Sequence, residues 1–529
     1  MSEYNFDEFK YPLDKRYDFT IVGAGTAGIF LAVKLALKGR NVLIIESGQN
    51  GINPESQQLN TAINSGNKLM NTHNWGRKRA LGGTTLAWGG QALPFCEIDF
   101  KKNDWVPNSG WPIDYNDLLY HYSRANEFMG VDLLDYRNEI FKLIKISDPG
   151  FDKNKLDFHV SKWAKEKNFY KILQKYNLPN IDIIYNALLK NVTHENGKIK
   201  SVEIINNKGK SLNFPISNLI LANGTIESVR TLLHNKLSNS PLLGKAFMDH
   251  PCIEVGFVVQ KDEFKLQSLF APHITKGKYF SLRLSLAEQE IVNKKLLSCS
   301  AGLMFSPKSG ETNPYTEIKL FLKGLKPKNL IGAVKHSKSL FSSLLIFLKY
   351  GFHFKSKFEG KVVLMTEQEP SLNSTIELTN ELDLAGLPVP AIQWEISPKT
   401  WETIVTTSIN VKEEFNRLGL GNVILYPHVK LEENNWKEYL SDVCHHMGGA
   451  KMSENPEEGV VDKNLKVWGM ENLYVCSPAV FPTGSHSNPV LTLLALSNRL
   501  SDFLHLFTPK VVGDSKSLSD SVSSASISY

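Results

Sequence analysis

Cysteine is sparse in this 529-residue chain: there are five, Cys96, Cys252, Cys299, Cys444 and Cys476, an odd number with no two close enough for a CxxC. That argues against a disulfide framework and against a structural zinc site. An excess of one charge is also missing. Lys+Arg 60 against Asp+Glu 54 leaves +6, without the dominant basic face of a dedicated nucleic-acid binder, so no nucleic-acid partner is expected. No stretch reaches about 18 uninterrupted apolar residues, so no membrane-spanning helix is expected. The N-terminus carries Glu3, Asp7 and Glu8 where a secretory signal would carry bases and then an apolar run. The expectation is a reducing, cytoplasmic setting. Gly 36 and Pro 24 are too few for a collagen-like or Pro-rich fibre. The remainder, 42% hydrophobic and 22% charged, is ordinary globular composition, with length for several domains or two large interleaved ones.

What is present begins with a compact βαβ unit. Residues 17–22 read as a buried strand, Gly23-Ala24-Gly25-Thr26-Ala27-Gly28 follows at once, and 29–37 has helical spacing. Lys38-Gly39-Arg40 is a helix stop, and 41–45 is a second apolar strand ending at Glu46. The glycines form GxGxxG. Gly23 allows the tight turn, Gly25 lets the backbone approach a pyrophosphate, and Gly28 lets helix and strand pack closely. Glu46 lies 18 residues after Gly28, where an acid hydrogen-bonds a ribose hydroxyl. The unit points to a dinucleotide. NAD and FAD use the same physics, so it does not choose between them.

Residues 76–90, Gly-Arg-Lys-Arg-Ala-Leu-Gly-Gly-Thr-Thr-Leu-Ala-Trp-Gly-Gly, are rich in glycine around one tryptophan. Here the chain resembles the glucose-methanol-choline (GMC) family of FAD-dependent alcohol oxidoreductases. The resemblance implies FAD, with Thr26 and Ala27 at the first loop and Gly82, Gly83, Thr84, Thr85, Ala87, Trp88, Gly89 and Gly90 along the cofactor. Glycine amides reach a flat polar ring only if no side chain intervenes. Ala87 stands where some sugar oxidases of the family carry a flavin-linking histidine, which implies non-covalent FAD. Residues 219–228, Leu-Ile-Leu-Ala-Asn-Gly-Thr-Ile-Glu-Ser, are similar to the family's return to the cofactor domain and bring Ala222 and Gly224 to the site. Residues 244–251, ending Asp249-His250-Pro251, look like its crossing into the substrate domain, with His250 read as structural. Ser109-Gly110-Trp111-Pro112-Ile113 before a helix is similar to bacterial members. One departure is Val475-Cys476-Ser477-Pro478, where many members have Ala-Asp-Gly-Ser. Ser477 is still expected at the flavin, without the usual acid.

Two C-terminal segments carry the chemistry: Cys444-His445-His446-Met447-Gly448-Gly449 and Ser485-His486-Ser487-Asn488-Pro489. Alcohol oxidation by a flavin needs a hydride acceptor and a base for the hydroxyl proton. A neutral imidazole suits that base, and a second polar group must align the C–H bond. The family resemblance places the base on His445 and its partner on Asn488, with Asn488 and Pro489 also beside the flavin. Asn488 precedes an apolar helix at 489–506, where it can cap free amides. His446 alternates to the other side of the chain. His486 either touches substrate or is simply exposed. Cys444-His445-His446 lacks further ligands at matching spacing, so no metal is expected.

The fold expected is α/β: a Rossmann-like FAD-binding domain in segments 14–95, 180–250 and 440–507. It interleaves with an α+β substrate domain on a mostly antiparallel sheet, 96–179 and 251–439. Strand-like runs are read at 181–193, 201–214 and 217–222, a helix at 225–234, and a disordered Ser-rich tail at 508–529. Residues 323–357 hold eight lysines and no acid, a basic insertion read first as an ordinary solvated helix packed on the substrate domain, with peripheral membrane contact, or a lid or partner role, as the alternatives. The activity expected is oxidation of a CH–OH group on a sugar, glycoside or amino-sugar-like alcohol. Alternatives are a sterol or lipid alcohol oxidase, or a flavin-carrying electron-transfer subunit without alcohol chemistry. The electron acceptor (oxygen, quinone or redox protein) is left open.

Overall fold

Phe19–Val22, Val42–Ile45, Leu219–Leu221 and Leu473–Val475 are short, almost wholly apolar strands buried along their whole length. Strands of that composition belong inside a parallel sheet covered on both faces. The computed structural model describes residues 1–8, 15–67, 76–144, 147–260, 262–307, 337–352, 354–355 and 358–510. In it these strands join Ser2–Asn5 and Ile181–Tyr185 in a six-stranded sheet. Its spatial order is Ser2–Asn5, Ile181–Tyr185, Val42–Ile45, Phe19–Val22, Leu219–Leu221, Leu473–Val475, all parallel. Helix Thr26–Leu37 packs on it, and helix Pro489–Phe507 packs on that helix. Gly28 makes the close approach possible, because a Cβ there would lie 1.9 Å from the Gly23 carbonyl oxygen. Parallel strands share one carboxyl edge, and Gly23, Glu46, Ala222 and Cys476 all emerge there.

The second sheet is antiparallel and has eight strands. Its main path runs Asn422–Leu425, Cys252–Val259, Phe358–Thr366, Cys299–Pro307, Lys278–Leu286, Leu156–Trp163, Gln91–Ala92. Alternation gives it two unlike faces. Phe158, Val160, Leu282, Leu284 and Leu364 share a buried apolar cluster with Trp401, Ile404, Val405 and Phe415 of helix Pro398–Arg417. The opposite face carries Asp157, His159, Ser161, Ser281, Arg283 and Gly302, and His159 there meets His486 of the C-terminal loop. The two sheets are therefore interleaved in sequence, as read from the motifs.

Three readings of local structure change. The run 181–193 is two strands, Ile181–Tyr185 and Leu188–Glu195, because Asn186 takes a left-handed backbone (φ +57) and turns the chain into a separate three-stranded sheet. The run 201–214 likewise divides into Lys198–Ile205 and Ser211–Pro215. Ser2–Asn5, too short and too polar to read as a strand, pairs in register with Asp182–Tyr185. Residues 511–529 of the expected tail and 323–336 of the basic insertion lie outside the described residues. Among the described residues, no helix is long and apolar enough to cross a membrane.

Candidate active site

Three helices begin at one cleft. Their first turns are capped by Gly25, Gly224 and Asn488, and none receives a side-chain hydrogen bond there. Free amides and the positive ends of three helix dipoles therefore face a cavity of roughly 490 Å³. All the site residues read from the sequence line this cleft except Gly28, Gly82 and Thr85. Those three stand behind it. Gly28 closes the strand–helix contact. Gly82 (φ +99) is boxed by the Asn168 side chain, and the Thr85 hydroxyl is tied to the Gly82 carbonyl and the Phe169 amide.

The cleft fits an elongated anionic dinucleotide. A Cβ on Gly25 would meet nothing within 4 Å, so the backbone there is open to a ligand. Gly83 packs so tightly on that loop that its own Cβ would lie 2.7 Å from the Gly25 Cα. Glu46 lines the cleft, but its carboxylate is also a brace: one oxygen accepts from the Ala24 amide and the other from the Gly48 amide, both at 2.8 Å. Burial pushes its pKa up against those two donors. Sequence reasoning missed a cluster beside it. Arg77 and Arg79 each reach Glu227 at 2.9 Å, and Arg230 reaches Glu227 at 3.4 Å and Asp383 at 2.7 Å. Burial would raise the Glu227 pKa, but the three guanidinium groups together hold it at about 2. Three cations against two carboxylates leave positive charge at the wall, suited to a diphosphate. The signal was visible as Arg77 and Arg79 inside the glycine-rich stretch, but their shared partner lies 150 residues away.

His445 and Asn488 meet at the same cleft. The Asn488 amide nitrogen lies 3.2 Å from His445 Nε2, so its side chain turns to the histidine and does not cap the helix behind it. The other ring nitrogen, His445 Nδ1, lies 2.9 Å from His250 Nδ1, and His250 Nε2 lies 3.1 Å from the Gly484 carbonyl oxygen. These contacts fix the proton positions. A carbonyl only accepts, so His250 Nε2 must carry a hydrogen. Burial holds His250 at about 4, against the pull of the Gly484 carbonyl, so it is neutral and its Nδ1 is an acceptor. His445 must then donate from Nδ1, leaving its Nε2 lone pair beside Asn488. Burial, then the neighbouring His250 and His446, keep the His445 pKa well below the ordinary imidazole value. The result is a neutral base aimed by a second histidine. His250, read from the sequence as structural, is thus in direct contact with the proposed base.

Asp249 holds both histidines in place. Its Oδ1 accepts from the backbone amides of His250 (2.6 Å), His445 (3.0 Å) and Val443 (3.4 Å). Burial and the nearby Asp442 push its pKa up to about 8, against those amide donors. His446 lines the cleft, with Nε2 3.7 Å from Asp249 Oδ2. Asp249, Asp442 and His446 lie close enough to share a cation, a grouping the sequence spacing did not offer. His486 is only 4% exposed, with neither ring nitrogen partnered. Burial therefore removes the simply exposed reading.

A cleft at the carboxyl edge of the parallel sheet, lined by uncapped helix N-termini and by a histidine held through His250, makes up the candidate site. Residues 370–497 match the family model described as GMC oxidoreductase. The GMC oxidoreductase family protein Mala s 12 of Malassezia sympodialis is 32% identical over 135 residues, a match spanning 22% of this chain and only 22% of that protein's length. The oxygen-dependent choline dehydrogenase of Rhizobium meliloti is 22% identical over 531 residues, 89% of this chain and 92% of its own. An FAD-dependent oxidoreductase from Chaetomium thermophilum superposes with a TM-score of 0.58 at 14% identity, covering 92% of this chain and 99% of that one; this likeness shows the fold. Together the family-model match and the relatives support the GMC oxidoreductase family.

Proposed function

We propose that the protein oxidises a CH–OH group to a carbonyl using non-covalently held FAD, on a sugar, glycoside or amino-sugar-like alcohol. The observation that carries this is the pairing of His445 Nε2 with the Asn488 amide nitrogen at 3.2 Å, with His445 Nδ1 held by His250, on the wall of a cleft suited to a dinucleotide. Relatives named a choline dehydrogenase and an FAD-dependent oxidoreductase support the reaction class and the cofactor. Ala87 offers only a methyl group, with no nucleophilic atom to link a cofactor.

Gly25, the uncapped helix amides and the arginines beside Glu227 would hold the dinucleotide, and Thr84, Ala87, Trp88, Gly89 and Gly90 would flank its ring. A flavin so held supplies the acceptor for the hydride. The chain does the rest. His445 Nε2 takes the hydroxyl proton, Nδ1–H stays bonded to His250, and the Asn488 amide donates to the substrate oxygen. That alignment sets the C–H bond toward the ring. The test is anaerobic addition of a panel of alcohols to the flavin-loaded protein, run again with oxygen and with a quinone-like dye to find the electron acceptor. Bleaching of the flavin band with some alcohol is expected; no bleaching with any would point to the flavin-carrying subunit without alcohol chemistry.

A second reading, a sterol or other lipid alcohol oxidase at a membrane surface, draws on one observation. Helix Ser337–Tyr350 leaves Leu344, Leu345 and Leu348 52%, 51% and 72% exposed beside Lys349. Cosedimentation with anionic liposomes, lost when these leucines become serine, would favour it; saturable turnover of free sugars would count against it.

A further inference from the structure

Among the described residues, the polar face of the antiparallel sheet holds a cation without a counter-charge. Arg283 stands on Lys278–Leu286, directly opposite His159 of Leu156–Trp163 in the ladder, so the two side chains share that face. Its guanidinium lies over the neighbouring strand where Gly302 has no side chain: a Cβ there would fall 1.6 Å from Arg283 Nη1. Among the described residues no carboxylate reaches it, and its Nε has no hydrogen-bond partner. The groups that act on it electrostatically are the hydroxyl of Tyr279 and the thiol of Cys252; burial pushes that thiol up to about 11, so it carries no charge. The nearby acids are engaged elsewhere, Asp157 with Arg137 and Glu254 with Lys361. A buried guanidinium left unmatched is expensive.

The same face adds further unmet polar groups. His159 and His486 lie with ring centroids 5.6 Å apart and are 6% and 4% exposed. Among the described residues, His159 Nε2, both nitrogens of His486 and the Ser487 hydroxyl have no partner. His486 and Ser487 immediately precede Asn488, so this group and the reacting pair are carried on one loop. The dinucleotide does not account for it. The cationic cluster facing the dinucleotide is Arg77, Arg79 and Arg230, whereas Arg283 belongs to the other sheet.

We propose that Arg283, with His159 and His486, forms an oxyanion subsite, and that the substrate is an alcohol bearing a carboxylate or phosphate group. This deepens the reading of the site as an alcohol oxidoreductase and rests on it. The substrate's anion would pair with Arg283 and accept from the imidazole N–H groups, while its CH–OH lies between His445 and Asn488. A guanidinium fork matches the geometry of either oxyanion.

The test uses the flavin-loaded protein with three matched probes: glucose, glucuronate and glucose 6-phosphate. At least one anionic probe is expected to reduce the flavin with an apparent affinity well above that of glucose; which one does so separates carboxylate from phosphate. Arg283→Gln should weaken the anionic probe roughly 10- to 100-fold, the range for a hydrogen bond to a charged group. Glucose should be left nearly unaffected, and Arg283→Lys should keep part of the preference, which controls for folding. In parallel, gluconate or inorganic phosphate should raise the Tm saturably in the parent and not in Arg283→Gln. Flavin reduction equal for glucose and its anionic counterparts, or an anion preference or Tm rise that survives Arg283→Gln, overturns the subsite. Should no alcohol of any charge reduce the flavin, the oxidoreductase reading fails, while the Tm arm still decides on anion binding.

Discussion

Replacing His250 by Phe tests the tautomer assignment of His445 most directly. The side chain is fully buried, lies beyond His445, and serves the proposed base only through the 2.9 Å contact between the two Nδ1 atoms. Phe keeps the ring volume but cannot accept a hydrogen bond. The His445 Nδ1–H then loses a bond worth about 0.5–1.5 kcal/mol net, and leaving it buried without a partner costs about 1–3 kcal/mol. The alternative tautomer, with hydrogen on Nε2 and no lone pair toward the substrate, gains by that amount. At about 1.4 kcal/mol per tenfold, the limiting rate of flavin reduction should fall roughly 10- to 100-fold, with little change in substrate affinity. The assay is anaerobic stopped-flow reduction at saturating alcohol, with the oxidised flavin spectrum as a loading control. His250→Gln, whose carbonyl can accept from Nδ1–H, should recover part of the loss; a purely structural role would not rank Gln above Phe in rate while leaving affinity alone. A Phe variant that reduces its flavin at the parent rate refutes this role for His250.

His445→Ala should keep its flavin but lose alcohol-driven reduction by about 10²–10⁴-fold, the span for a missing general base; unchanged reduction kinetics would remove His445 from the chemistry. Gly25→Val should yield protein without the yellow colour, because the side chain projects into the open cleft, and a normally coloured variant would contradict the cradle. Stability should also have a maximum near neutrality. His250 and His486, lowered to about 4, and His446, lowered to about 3, contribute stability above about pH 6.5 that is lost as pH falls through their folded values. Asp249 and Glu367, both raised to about 8, contribute stability at low pH that is lost as pH rises toward 8. A Tm that rises steadily from pH 5 to 9 would exclude this balance.

The parts legible in the sequence were those whose cause is local. The βαβ unit followed from apolar periodicity with glycines at fixed offsets, and helices Thr225–His234 and Pro489–Phe507 from spacing and a leading glycine or proline. His445 and Asn488 were found through the family resemblance of their short motifs. What stayed hidden depends on distant partners. His250 meets His445 across 195 residues, and Asn488 gave up its capping position for that same ring. Arg79 showed its charge but not its Glu227. Arg283 is the sharpest case: alternation says only which face it takes, and the lack of a counter-charge among the described residues appears once the neighbouring strands are in register. The split at Asn186 turned on one left-handed residue that strand propensity does not reveal.

The parallel sheet also sets a timetable for the newborn polypeptide. Leu221 pairs with Val22 on one side and with Val475 on the other, so the layer beneath Gly23 waits for a strand some 450 residues downstream. At about 5–20 residues per second of synthesis, that is a delay of roughly 20–90 s. Once Leu219–Leu221 has been made, its outer apolar edge waits for Leu473–Val475 over about 250 further residues, roughly 13–50 s at that rate. Slow-translating hosts lengthen that exposure, and scarce chaperones leave it uncovered, so both should depress soluble yield.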